Sequence, residues 1–405
     1  MSDDHPLRWR TLALLSIAEL LGMSLWFAAS AVSGPLGERW SLSASQTGWL
    51  TTIVQLGFVA GTAVSAMLNL ADVFPSKRLF ASAAFLGALV NAAILLAPSY
   101  AIALALRFLT GFCLAGVYPP AMKMISTWFK SQRGLAIGTI VGALTVGKAT
   151  PYLVHAMPHV GVDAVILTAS AGALIAGLVV LVGFHDGPFP FAPRPFSWGL
   201  VGTVVSVKEW RLATGGYLGH MWELYAFWTW IPAFLAASAA ASTASHESAR
   251  MVSFIAFGVI AVGGAGCVWG GLYADKRSRE RLVTISLVVS GACCLIVGLL
   301  YGKSIWLLAP LALVWGFFVV ADSAQFSALV TESVPAHAVG TALTVQTSIG
   351  FLLTMVTIQL VSAVAARTGW QWAFALLAIG PIAGIAAIRR LSAAKQAMLS
   401  TGSIP

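Results

Sequence analysis

Five ionisable residues interrupt long apolar runs. Glu19, Glu223 and Asp322 are acids, Arg107 and Lys148 are bases, and a third base, Lys123, lies nearer a loop. In a segment that crosses lipid, burying any of them costs on the order of 3 kcal/mol, so such residues are expected to face a cavity or each other and to act on a substrate or an ion. Glu19, Met23 and Trp26 fall at i, i+4 and i+7, and Glu223, Phe227 and Trp230 repeat that face. A carboxylate beside large apolar groups suits reversible protonation near neutral pH, and His220, one turn before Glu223, is placed to share or relay the proton. The alternative for each acid is a permanent structural ion pair.

Arg107 and Lys148 each lie about seven residues from the same end of their spans, roughly 10 Å at the helical rise. Two cations at one depth invite an anion. Thr145, Lys148 and Tyr152 share a helix face, and Trp26 and Trp230 are the aromatic residues best placed to touch a planar or partly apolar substrate. Asp322 and Gln325 are expected to oppose the cations across the midline, with Thr341, Thr344 and Ser348 completing the cavity. Arg107 has a second reading, as a scaffold residue bonded to backbone carbonyls. His155, Met157 and His159 form H-x-M-x-H, which would suit a soft metal cargo, but Pro158 interrupts the run and two buried bases repel a cation.

The elements that hold these residues follow from composition. Of 405 residues, 59% are hydrophobic and 9% charged, and the mean hydropathy is +0.87, a balance that excludes a soluble domain of this length. The net charge of +9 is read as loop charge at a membrane rather than as a nucleic-acid surface. Cys113, Cys267, Cys293 and Cys294 lie in apolar runs without metal-ligand spacing and read as small buried hydrophobes. Spans are expected at about 10–33, 46–70, 78–97, 100–122, 133–155, 163–185, 211–238, 249–273, 282–301, 304–330, 338–364 and 371–391. Retaining the first of these, rather than cleaving it as a signal peptide, puts 16 loop bases on the side of both termini and four, Arg39, Arg250, Lys303 and Arg367, on the other. That asymmetry places both termini in the cytoplasm. Pro188, Pro190, Pro193 and Pro195 mark the midpoint as a linker.

The two halves repeat. Glu19-Leu20 and Glu223-Leu224, Ala71-Asp72 and Ala274-Asp275, and Gly111-Phe112 and Gly316-Phe317 recur at offsets of 203 to 205 in the same orientation. This argues for parallel six-helix halves related by an axis along the membrane normal. Gly138 and Gly142 share a face where another backbone can approach closely, a packing feature that becomes functional if the contact slides.

On these residues the chain resembles a major facilitator superfamily secondary transporter, over nearly its whole length. The family loop G-x-L-A-D-R-x-G-R-K is matched best by GLYADKRSRER from Gly271 to Arg281, while LNLADVFPSKR keeps Asp72 and Lys77 but lacks both glycines. Arg107 and Gly111 match the family pattern in the fourth span, and Gly138, Gly142 and Gly147 partly match the antiporter pattern, with Ala143 in place of its proline. The resemblance implies an all-α membrane protein of twelve transmembrane helices in two pseudo-symmetric six-helix bundles, divided as 1–185, a cytoplasmic linker 186–210, and 211–405. It implies alternating access, with Asp72, Asp275 and Arg277 as gating residues whose ion pairs lock one orientation.

Together these features are expected to make proton-coupled uptake of a small, carboxylate-like organic anion. The substrate would be bound by Lys148, Arg107, Trp26, Trp230, Tyr152, Thr145 and Gln325, with protons handled by Glu19, Glu223, Asp322 and His220. The runner-up is proton-driven efflux of amphipathic compounds; a transition-metal porter and a transporter-derived nutrient sensor follow. Nitrate transport fits less well, since the second and eighth spans carry no arginine at mid-depth. No phosphate loop, nucleophile constellation or dinucleotide fingerprint occurs, so neither catalysis nor a cofactor is expected. The expected setting is the inner membrane of a bacterium, as a monomer whose partners are its small-molecule substrate, protons and lipid, with no nucleic acid.

Overall fold

A computed structural model describes residues 5–189, 196–242 and 249–400, apart from the side chains of residues 71, 72 and 398–400. Within that range the chain is helical, with no strand among the described residues. The first span is α1, Arg8–Met23, which breaks at residues 24–27 and resumes as the short helix Ala28–Ala31. Among the described residues, eleven helices are long and apolar enough to cross a membrane, the 16-residue α1 not being one of them: α2 Ala44–Met67, α3 Ser76–Leu96, α4 Tyr100–Ser126, α5 Arg133–His155, α6 Val162–Gly183, α7 Lys208–Ala241, α8 Ala249–Lys276, α9 Arg279–Leu300, α10 Ile305–Ser333, α11 Ala336–Thr368 and α12 Trp370–Ala397. The expected spans agree with these to within a few residues, except that the first is broken and α7 and α12 run longer. Pro190, Pro193, Arg194 and Pro195 of the midpoint linker lie outside the described residues, and the linker's second half contains the helix Trp198–Ser206.

Helix ends are fixed locally. Ser43 and Gln46 form a reciprocal capping box at the start of α2, with the Gln46 amide donating to Ser43 Oγ at 3.3 Å and the Ser43 amide to Gln46 Oε1 at 2.8 Å. Ser99, Ser278 and Ser304 each accept one backbone amide at the starts of α4, α9 and α10, without the reciprocal bond. Helix α5 is among those without a side-chain cap of their own. Its flanking residue Gln132 takes a left-handed conformation, φ 54°, and supplies no cap.

Packing reproduces the repeat. Helix α1 lies against α5 and α6, and α7 lies against α11 and α12; α2 packs on α4 as α8 packs on α10, and α3 on α6 as α9 on α12. Gly111 of α4 rests on the Val54 carbonyl of α2, and Gly316 of α10 on the Val259 carbonyl of α8, so closely that a Cβ on either glycine would overlap that oxygen. Both members of this contact are displaced by 205 residues, the offset of the sequence repeat.

Two interfaces join the bundles, α5 with α8 and α2 with α11. In the first, a Cβ on Gly138 would sit 2.5 Å from the Cys267 carbonyl oxygen and one on Gly142 2.7 Å from that of Gly264. The backbones meet with no side chain between them, which is what a small-x-x-x-small face permits. Placing a valine at Gly111 or at Gly316 overpacks equivalent contacts, at about 1–3 kcal/mol each. Both substitutions are expected to lower the melting temperature of detergent-purified protein by similar amounts, and a fall confined to one of them would contradict the structural equivalence of the halves.

Candidate functional site

Arg107, fully buried on α4, faces the break in the first span. Breaking a helix in lipid frees carbonyls that no water can satisfy. The guanidinium takes two at the break, Nη1 donating to the Leu25 carbonyl at 2.9 Å and Nη2 to that of Trp26, while Nε donates to the Leu50 carbonyl of α2 at 3.2 Å. Nη1 also reaches Asn91 Oδ1 at 3.5 Å. A cation at the carbonyl end of a helix segment is favourable in its own right. Arg107 therefore holds open the turn that displays Trp26.

Lys148 sits between the bundles. Its Nζ donates to the Tyr225 hydroxyl at 2.8 Å and lies 4.3 Å from the ring centroid of Trp26 and 4.8 Å from those of Tyr225 and Trp228. Phe58 of α2 and Phe351 of α11 complete the wall, 5.2 Å from Trp26 and 5.2 Å from Tyr225 respectively, and 4.8 Å from each other. The indole N–H groups of Trp26 and Trp228 are buried without an acceptor. An ammonium and two unused donors inside an aromatic box have the composition of a receptor for a planar anion.

The two repeat-related acids have opposite surroundings. Glu223 of α7 accepts from Ser290 Oγ at 2.9 Å, from the Cys294 thiol at 3.2 Å and from the Trp315 indole. Glu19 of α1 is fully buried, and neither of its oxygens has a hydrogen-bond partner. Gly147 packs directly on the Leu20 carbonyl, which brings Glu19 level with Lys148, and the two form no contact ion pair. His220 turns toward α10, its Nδ1 3.0 Å from Asp322 Oδ1 and its Nε2 2.8 Å from Ser323 Oγ.

Both ends of the central region are closed. On the face bearing the termini, the Asp275 carboxylate of α8 accepts from the Gly134 and Leu135 amides at 3.0 and 2.9 Å, supplying the missing cap of α5 from the other bundle. At the far end, Ser45 of α2 donates to Gln359 Oε1 of α11 at 2.9 Å, and Gln359 Nε2 donates to Thr52 at 3.2 Å. Thr354 of α11 is bonded to Gln55 of α2, and the Trp230 indole donates to the Ile358 carbonyl at 2.8 Å. His155 Nδ1 lies 3.1 Å from Ser253 Oγ, tying α5 to α8.

The chain's residues 14–264 match the model of the Major Facilitator Superfamily. This chain belongs to that superfamily. It is 28% identical over 148 residues to the niacin transporter NiaP of Acinetobacter baylyi, covering 36% of this chain and 33% of that protein. It is 25% identical over 250 residues to a protein named as a probable nitrate/nitrite antiporter, NarK1 of Thermus thermophilus, covering 58% and 55%. The matches thus span about a third and about half of the lengths of those curated relatives. In fold it is similar to a bacterial homologue of the human lysosomal transporter Spinster, in an inward-facing and occupied conformation. That match has a TM-score of 0.71 and 16% identity and covers 96% of this chain and 97% of that one. As a superfamily member it is a membrane transporter and not an enzyme.

Within this transporter fold the residues singled out from sequence separate. Lys148 and Trp26 meet in one box, whereas Trp230 lies toward the far end, its ring tilted 54° to that of Trp370 at 5.9 Å. Thr145 donates to its own helix at the Val141 carbonyl, Tyr152 packs near Phe27, and Gln325 is buried beside Asp322 on α10. Thr341 accepts from the Ser197 amide at the linker and Thr344 donates to Gly340, so neither hydroxyl turns to the box. Asp275 acts through amides rather than through Arg277, which is exposed, and the side chain of Asp72 lies outside the described residues. Tyr225, Trp228, Phe58 and Phe351 were not legible as box residues, although the aromatic density of α7 was the available signal.

Arg107 and Lys148 should respond oppositely to neutral replacement. Arg107→Met strips the side-chain donors from the two carbonyls at the break, each costing about 1–3 kcal/mol, whereas Lys148→Met fills an apolar cage and leaves Glu19 free to take a proton and become neutral. A larger fall in melting temperature for the first than for the second is expected; the reverse order would make Arg107 the free cation.

Proposed function

We propose that this transporter carries a small organic anion with a carboxylate and a planar apolar body, coupled to protons, by alternating access between its two bundles. The observation that carries the reading is Lys148, enclosed by Trp26, Tyr225 and Trp228 with no carboxylate in contact. A substrate carboxylate would supply the missing counter-charge and accept from the two unused indoles, while the rings of Phe58 and Phe351 would flank its body. Niacin, for which the Acinetobacter relative is named, is an aromatic carboxylate of this kind. Among the candidate substrate-contacting residues, Lys148 and Trp26 stand in the first position, with Arg107 supporting Trp26 from behind.

The bundles are taken to divide at 1–185 and 211–405, with both termini in the cytoplasm and the chain acting as a monomer in a bacterial inner membrane, where uptake is symport. The buried acids Glu19, Glu223 and Asp322, with His220, form the titratable set from which coupling is drawn. On this orientation Asp275 closes the cytoplasmic side and the contacts of Gln359, Thr354 and Trp230 close the outer side. Opening either side requires only its own latch to part.

Purified protein in proteoliposomes, with an inwardly directed proton gradient, is expected to accumulate labelled nicotinate or benzoate. Lys148→Met should reduce that uptake at least tenfold while inserting normally into the membrane. Wild-type rates in Lys148→Met would refute the anion site, and retained export of an amphipathic dye by the same variant would favour efflux instead.

A further inference from the structure

The two halves place an acid at the same repeat position and then treat it differently. Three donors from α9 and α10 hold Glu223. Glu19 has none, although it is fully enclosed. An ionised carboxylate in that setting is supported only by a nearby positive charge. Of the bases on the helices packed on α1, Lys148 of α5 lies level with Glu19. Helix α4 also brings Lys123 and Tyr118, and Arg107, which is committed to the carbonyls of the break, while the single acid of α6, Asp163, lies in that helix's first turn. Lys148 in turn is held by a neutral hydroxyl and aromatic faces, so its charge is available to whichever anion approaches.

We infer that Glu19 is the resident counter-ion of Lys148 and that a substrate carboxylate replaces it, so that Glu19 takes up one proton from water as each anion binds. The inference rests on the anion reading of the Lys148 site and adds to it the identity of the coupling acid and the stoichiometry. The exchange balances: one anion and one proton enter together, and the net charge of the central region is unchanged. A site that accepted the anion alone would hold two carboxylates against one ammonium, which low-dielectric surroundings penalise strongly. Glu223, already satisfied by its donors, has no reason to change protonation when the anion arrives. The asymmetry between the two acids thus makes coupling obligatory from one side of the pseudo-symmetric pair.

The test measures protons taken up on binding. Wild-type protein in weakly buffered detergent at pH 7, with a pH-indicating dye, receives saturating nicotinate, and separately benzoate, with bound anion counted by equilibrium dialysis. About one proton per bound anion is expected. Glu19→Gln should still bind the anion with proton uptake near zero, while Glu223→Gln should keep the ratio near one. Anion binding by the wild type without proton uptake, or undiminished uptake in Glu19→Gln, overturns the exchange while leaving the anion site standing. Should Glu19→Gln not fold, titration of the wild type in two buffers of different ionisation enthalpy gives the same ratio, and a value near zero overturns the proposal. If neither probe binds the wild type, the anion reading itself fails and the exchange with it.

Discussion

A positive charge enclosed in a membrane-spanning fold with no carboxylate in contact is the constraint that the rest of this structure answers. Burying the Lys148 ammonium costs on the order of 3 kcal/mol. A hydrogen bond from a charged donor returns about 1.5–3 kcal/mol, and cation–π contacts return about 0.5–2 kcal/mol each when desolvated. The Tyr225 hydroxyl and the cage of Trp26, Tyr225 and Trp228 therefore offset that cost without neutralising the charge. That is the condition a binding site needs. A contact ion pair would have satisfied the lysine and left little for a substrate to gain.

Keeping such a cage in place demands further arrangements, each traceable to a named contact. Trp26 reaches the box because the first span breaks after Met23, and the break survives because Arg107 accepts the burden of its carbonyls. Two buried cations at similar depth thus have different work, one building the wall of the site and the other forming its centre. Chemically they are suited to it. The guanidinium's planar fan of donors fits several carbonyls at once, whereas the ammonium is a compact charge that can be shared between successive partners.

Much of this was legible in the sequence, for reasons that mark where reading must stop. Span limits followed from apolar length, because lipid tolerates few other solutions, and the 205-residue offset of Gly111 and Gly316 reappeared as the same glycine-on-carbonyl contact. Lys148 and Glu19 stood out because charge in an apolar run is rare. The break at residues 24–27 had no proline or glycine to announce it and depends on Arg107, which is more than 80 residues away in sequence. Tyr225 and Trp228 lay in an aromatic-rich helix where most rings could equally have faced lipid, and spacing alone does not tell which side packs against the other bundle. Asp275 looked like an ion-pair residue because bases surround it in sequence; its partners are backbone amides, which leave no mark in the residue types of α5.

That last contact bears on how the bundles can move. Along α5 and α8 the backbones touch at Gly138 and Gly142, and the side chains that cross nearby, Thr145 and Val146, rest on Gly263 and Gly264, so the seam between the bundles is shallow. Resistance is concentrated at the ends. Asp275 satisfies the first amides of α5, and parting the bundles there exposes both the carboxylate and those amides to water, which can replace each of them, so this latch costs only the difference between protein and water hydrogen bonds. At the far end, Gln359, Thr354 and Gln55 join α2 to α11 through neutral side chains that water can also solvate. Neither latch contains a buried ion pair whose rupture would strand a charge. The strongly desolvated charges, Lys148 and Glu19, lie between these contacts, so on the proposed mechanism the free energy at stake is concentrated at the centre and the ends need only be weak.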